Sequence, residues 1–278
     1  MSIVDKNIRR LRPPGGEWPV QNRDSAAVTQ ARESITIDLE NLRRYGVLPY
    51  DELEVRRREE DFRRIKWPVL AAAFGAEAEQ IPDGDLVLVT SSVPEEGKTF
   101  TTLNLALSIA HEQGSGVLLV DGDIERCQLS MLCGAVGRPG LTDLLRNPEM
   151  SPSQVVVDTN IPRFSLLPSG ERIPNGPEAL AGPGFARLVS WFLEAYPGRI
   201  LLIDSPPVLA RTEAQVLARG VGQVVFVIRA DHTLRGTVQD ALAQVPGGPL
   251  VRCIINQTRR SSLVGYYGEY ANYGDDVG

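Results

Sequence analysis

The sequence predicts an α/β protein: a doubly wound, mostly parallel sheet with a charged helical extension before it and a tyrosine-rich segment after it. Short apolar runs recur at Leu86–Thr90, Val117–Val120, Phe164–Leu167, Ile200–Ile203, Val224–Ile228 and Leu250–Ile255, each bounded by turn-forming residues. Amphipathic helical patterns separate most of them, over Thr99–Glu112, Phe185–Tyr196, Arg211–Ala218 and Arg235–Gln244. The runs are continuously apolar rather than alternating, the mark of strands covered by helices on both faces. Ligands of such sheets bind beyond the carboxyl ends of the strands. Chemistry is therefore expected on the loops after Thr90, Val120, Ile203 and Ile255.

Taken in order, residues 1–33 carry Pro13-Pro14-Gly15-Gly16, several arginines and few large apolar side chains, the composition of a flexible arm. Residues 34–84 turn helical and highly charged, most densely over Glu52–Lys66, with Arg56-Arg57-Arg58-Glu59-Glu60-Asp61 at the centre. Basic and acidic side chains balance across residues 1–80, so the net charge of −6 arises downstream. A helix of mixed sign suits pairing with another helix or subunit better than a membrane surface. The sheet-forming core spans residues 85–258. Residues 259–278 abandon the aliphatic pattern and hold Tyr266, Tyr267, Tyr270 and Tyr273, out of 7 tyrosines in the chain. They are expected to form a mobile tail.

At 278 residues the chain suits one large domain and an appendage. Its acidic balance disfavours nucleic acid as a partner. His111 and His232 stand far apart, without Cys or carboxylate neighbours at metal-ligand spacing, and are expected to pack or face solvent. Cys127, Cys133 and Cys253 form no disulfide framework, which fits reduced thiols. No run approaches the ~18 apolar residues of a membrane span. The charged N-terminus lacks the apolar stretch of a secretory signal. A cytoplasmic chain is expected, with any membrane role coming through a partner.

The first strand run leads into Ser91-Ser-Val-Pro-Glu-Glu-Gly-Lys-Thr99 and then a helix. Strand, loop and helix in that order let backbone N–H groups and the positive helix end converge on a phosphate. Lys98 can reach β- and γ-phosphates, and the Thr99 hydroxyl can sit on Mg²⁺. Ser92 replaces the first glycine of G-x-x-x-x-G-K-[ST], a small residue in a small residue's place. The pattern is that of a P-loop NTPase core. Asp121 and Asp123 follow one apolar run, and Asp204 follows another just before Ser205-Pro206-Pro207. Each Asp alone reads equally as a helix cap or Asx-turn. Together with Lys98 and Thr99 they suit Mg²⁺–nucleotide chemistry, in which carboxylates hold the metal's waters or accept a proton.

These three segments, Ser91 to Thr99, Val117 to Asp123 and Leu202 to Pro207, resemble the Walker A, A′ and B motifs of bacterial tyrosine kinases (BY-kinases). The likeness is to the soluble autokinases associated with exopolysaccharide export and exosortase systems. The tail tyrosines resemble that family's autophosphorylation cluster. Glu60, Arg63 and Lys66 match its E-x-x-R-x-x-[RK] oligomerisation motif, although the same residues alone read as surface ion pairs on one helix face. Glu213-Ala-Gln-Val-Leu-Ala and Ile255-Asn-Gln are also similar.

The resemblance implies an autokinase that uses ATP and Mg²⁺. Ser92, Glu96, Gly97, Lys98, Thr99 and Phe100 would cradle the nucleotide, with Asn256 near the adenine or serving as an ordinary loop residue. Lys98, Asp121, Asp123 and Asp204 would carry catalysis, with Thr99, Asp121 and Asp204 at the metal. Tyr266, Tyr267, Tyr270 and Tyr273 would accept phosphate from a neighbour in a homo-oligomeric ring. A membrane chain-length-determinant (Wzz-like) activator would recruit the kinase to the inner face of the membrane, and a cognate phosphotyrosine phosphatase would reset it. Three departures stand out: Glu95 where the family has Gly, Cys127 where it has Pro, and Glu125 at a place often basic. The rivals are a ParA/MinD-like ATPase switch, whose signature lysine is Val93 here, and a nucleotide-binding adaptor without catalysis.

Overall fold

The computed structural model describes residues 33–75 and 81–258. The expected arm, Glu33 apart, and the tail with its four tyrosines lie outside the described residues. Strands β1 (Ser34–Ile35), β2 (Leu86–Ser91), β3 (Val117–Asp121), β4 (Val157–Thr159), β5 (Phe164–Leu167), β6 (Ile200–Asp204), β7 (Gln223–Arg229) and β8 (Leu250–Asn256) form one sheet. Its order is β1-β4-β5-β3-β6-β2-β7-β8, parallel throughout except for the β4–β5 pair.

The continuous apolar runs follow from burial on both faces. Val87, Val89, Val117, Leu119, Ile200 and Leu202 point to one side, into a cluster with Phe62, Val69, Leu103 and Ile109. Their alternates Leu86, Leu88, Leu118, Val120, Leu201 and Ile203 point to the other, against Leu144, Phe185, Leu188 and Phe192. The first layer is built from α1 (Leu39–Arg44), α2 (Glu52–Phe74), α3 (Lys98–Ala110) and α4 (Gln128–Leu132). The second holds α5 (Leu141–Arg146), α6 (Gly176–Ala181), α7 (Pro183–Ala195) and α8 (Thr212–Ala218), with α9 (Arg235–Gln244) over Phe226.

The stretch expected to be helical from Ser34 instead opens on a strand, β1, which pairs with β4 at the sheet edge. Its helices are not a separate appendage. Ile37, Leu42, Val47, Phe62 and Val69 are buried in the same cluster as the central strands. Asp38 and Asp51 cap α1 and α2 by accepting hydrogen bonds from backbone N–H groups of the first turn. Among the described residues no helix is long and apolar enough to cross a membrane.

Candidate active site

Adjacent strands deliver the acidic and basic groups to one end of the sheet. Asp121 ends β3 and Asp204 ends β6, and the two are direct partners in the ladder. Asp204 is also in register with Val89 of β2, whose strand runs into the phosphate loop. Gly122 sits where a Cβ would meet the Asp204 carbonyl oxygen at 2.7 Å, so the close β3–β6 approach depends on glycine.

Lys98 opens α3 and is buried. Burial lowers its pKa, opposed by the neighbouring negative charges of Asp204 and Asp123. Thr99 donates its hydroxyl to Asp204 Oδ2 at 2.7 Å, and Thr102 donates to Oδ1 at 2.9 Å. Even so, burial pushes the Asp204 carboxyl up to about 6. Asp121 is pushed up to about 7, by burial first and by the Asp204 charge beside it second. Asp121 Oδ2 accepts from the Ser130 backbone N–H at 2.8 Å and hydroxyl at 2.7 Å. Ser169 joins from the loop after β5, donating its N–H to Ser130 Oγ at 3.0 Å. Asp123 accepts from the Arg126 N–H three residues on, as a capping side chain does.

The loop is open to an anion. Gly97 takes a left-handed backbone, φ 90°, and α3 starts without a side-chain cap, so its first N–H groups face outward. Ser92 Oγ and Asp121 Oδ1 are buried without a hydrogen-bond partner. Such orphaned oxygens, beside a buried lysine and a Thr–Asp pair, fit a phosphate ligand and a hard cation. Among the described residues no group of three or more His, Cys, Asp or Glu could hold a metal by itself. Thr99, Asp121 and Asp204 alone would be only part of a cation's shell, with phosphate oxygens and water left to supply the rest.

The chain is 30% identical to the tyrosine-protein kinase CpsD of Streptococcus agalactiae over 196 residues, covering 69% of this chain and 82% of CpsD. The chain belongs to the bacterial tyrosine kinase family. EpsB of Ralstonia nicotianae is 33% identical over 199 residues, but the match spans only 26% of that longer protein. The VpsO kinase domain superposes with a TM-score of 0.62 at 27% identity, over 75% of this chain and all of that one (100%). The septum site-determining protein MinD from Pyrococcus horikoshii shares the fold alone, at a TM-score of 0.52 and 22% identity. No family model matches the chain.

The departures from the BY-kinase pattern have visible consequences. Glu95 adopts φ 67°, the left-handed backbone that glycine takes without strain. Cys127 has φ 51°, which no proline ring permits, so this turn differs from one built on proline. Glu125 lies 3.6 Å from Arg211 and joins the loop after β3 to the start of α8.

Several expected site residues have their side chains engaged within the protein. The Phe100 ring is turned towards α2, 6.1 Å from the Phe62 ring and 5.0 Å from the Arg58 guanidinium, leaving only its backbone at the loop. The Glu96 side chain is buried and accepts from Val93 N–H at 2.7 Å within the loop. Asn256 donates its amide to the Glu96 carbonyl at 2.9 Å, and a Cβ on Gly97 would collide with it.

Glu60, Arg63 and Lys66 do not share one face. Glu60 pairs with Arg63 at 2.7 Å in solvent, whereas Lys66 is buried against α3, donating to Glu112 at 2.7 Å and to the Ser108 carbonyl at 3.3 Å. Two steps of three residues rotate a helix position by about 120°, enough to carry Lys66 from the outer face to the inner one. Sequence reading missed Thr102, Ser130, Ser169 and Thr233. Only Thr102 left a signal, standing three residues after Thr99 on the same side of α3.

Proposed function

We propose that this chain is an ATP-dependent protein-tyrosine autokinase, and that Tyr266, Tyr267, Tyr270 and Tyr273 are its phosphate acceptors, presented by a neighbouring copy in an oligomer. The observation that carries the reading is the convergence of Lys98, Thr99, Asp121 and Asp204 at the ends of three adjacent strands, in a member of this family. The loop N–H groups and Lys98 would hold the triphosphate and neutralise charge on the transferring group. Thr99, Asp121 and Asp204 would hold Mg²⁺, which supplies further neutralisation and aligns the phosphates. A tyrosine phenol, normally neutral with a pKa near ~10, must lose its proton as it bonds to the γ-phosphorus and ADP leaves. Asp123, two residues past Asp121 and outside the set proposed for the metal, is the acceptor assigned here.

In this reading phosphorylation adds about −1.5 to −2 charges per tyrosine. Added beside Glu269, Asp275 and Asp276 it would repel the tail and loosen the assembly. The cellular role assigned is control of exopolysaccharide polymerisation and export, in the cytoplasm, under a membrane chain-length-determinant activator and a phosphotyrosine phosphatase. Glu60 and Arg63, exposed on α2, are the proposed intersubunit contacts.

The test incubates the purified chain with Mg²⁺-ATP, with and without residues 259–278, and maps phosphate by intact mass and peptide sequencing. Phosphate on the four tyrosines, absent from Lys98→Met, is the expected result. Phosphotyrosine unchanged in Lys98→Met would sink it, and nucleotide binding without phosphotyrosine, even with the activator's cytoplasmic segment added, would favour a switch or adaptor.

A further inference from the structure

We infer that Thr233, acting through the Glu96 carboxylate, is a positioning residue that holds the phosphate loop in the shape that accepts nucleotide; this deepens the reading above and rests on its nucleotide-binding part. Glu96 is fully buried, so its charge must be met inside the protein. Three donors meet it: the Val93 N–H within the loop, the Thr233 hydroxyl at 2.5 Å, and the Arg229 N–H at 3.3 Å. Two of these come from the end of β7 and the turn that follows, more than a hundred residues along the chain. A carboxylate that faces these donors does not face a phosphate, which would repel it. Glu96 is therefore a clasp between loop and sheet rather than a ligand.

The clasp grips a strained piece of backbone. Glu95 on one side holds a left-handed torsion, φ 67°, that strains a residue with a Cβ, while Gly97 on the other takes its own, φ 90°, freely. Strain of this kind persists only where the surroundings over-determine it. The far end of β8 adds two more restraints: the Asn256 amide on the Glu96 carbonyl, and the Gln257 amide on the Glu95 carbonyl at 3.4 Å. Of the three donors to the Glu96 carboxylate, Thr233 makes the shortest contact and is the one that can be deleted without touching the backbone. Without its hydroxyl, Glu95 can relax towards an ordinary torsion. The fraction of chains with a competent loop then falls, and the apparent affinity for nucleotide falls with it.

The experiment measures binding of a Mg²⁺-loaded β,γ-imido ATP analogue to the full chain by calorimetry, with thermal melting to confirm that each variant is folded. Thr233→Val, nearly isosteric, is expected to weaken binding about tenfold, the scale of one hydrogen bond to a charged group. Thr233→Ser, which keeps the hydroxyl, should stay within about twofold of the original chain. Adding Glu95→Gly to Thr233→Val should restore most of the lost affinity, because a glycine no longer needs to be held. Unchanged binding in Thr233→Val overturns the inference. So does a loss that Glu95→Gly leaves in place, since that marks direct contact between Thr233 and nucleotide. Normal clasp behaviour without tail phosphotyrosine keeps the inference and defeats the kinase reading; a chain that binds no analogue defeats both.

Discussion

Lys66 and Glu112 form an ion pair at 2.7 Å that ties the middle of α2 to the turn just past α3, with the Lys66 side chain only 7% exposed. Removing one partner strands a buried charge, whereas replacing both by apolar residues does not. Glu112→Ala should therefore destabilise the chain, by less than the ~3–5 kcal/mol of a fully buried pair, because Glu112 is 31% exposed and Lys66 keeps the Ser108 carbonyl. The Lys66→Met/Glu112→Leu double variant should return close to the original urea midpoint. An equal loss in both would show that the pair contributes through packing instead.

Glu60 and Arg63 are expected to behave oppositely. Both are about half exposed, and an exposed pair contributes only ~0–1 kcal/mol. Glu60→Ala/Arg63→Ala should leave the melting temperature nearly unchanged while reducing the assembled fraction seen by light scattering. A preserved assembly would remove these residues from the subunit contact.

Glu95→Gly alone should stabilise the chain. Relief of the left-handed torsion is worth ~1–2 kcal/mol, and the greater freedom of glycine in the unfolded chain returns ~0.4–1 kcal/mol. A net gain of about 0.5–1 kcal/mol should appear as a higher urea midpoint with an unchanged slope.

The buried carboxyls predict an unusual pH response in the nucleotide-free, metal-free chain. Asp121 and Asp204 rise from 3.8 to about 7 and about 6 on folding, so between these values the native state binds more protons than the unfolded one. Stability is then greatest at the acid end of that window and falls as pH rises through about 6 to 7. Asp121→Asn should flatten this slope and raise the melting temperature at pH values above 7, at the expense of phosphoryl transfer. A melting temperature that climbs across the same window in the original chain would refute the assignment.

The core strands were legible because they are buried on both faces; Phe164–Leu167 in β5 matches its predicted bounds. Strands β1 and β4, the outermost two on one side of the sheet, are only two and three residues long and carry no such run. Helices α4, α5 and α6, of five or six residues, are too short to show a 3.6-residue period. Lys98 and Thr99 stood out in the sequence by the Gly-Lys-Thr pattern between a strand run and a helix, and Asp121 and Asp204 by ending two apolar runs. The Glu96 clasp was not, because Arg229 and Thr233 lie far along the chain. Burial of Lys66 was hidden for a similar reason: charge normally signals exposure, and Glu112 is 46 residues away.

The order of the sheet has a consequence for how the molecule breathes. The strands that lead to the proposed site, β3, β6 and β2, are consecutive and central, with β1–β4 at one margin and β8 at the other. Local openings start at margins and reach a central strand only when most of the domain opens. Amide hydrogens of Val87–Val89, Leu118–Val120 and Leu201–Ile203 should exchange with solvent on the timescale of global unfolding, and those of β8 much sooner. The carboxylates of the proposed site, Asp121 and Asp204, would thus be mounted on the slowest-exchanging part of the protein, while the restraints from Asn256 and Gln257 would sit at a margin that opens sooner.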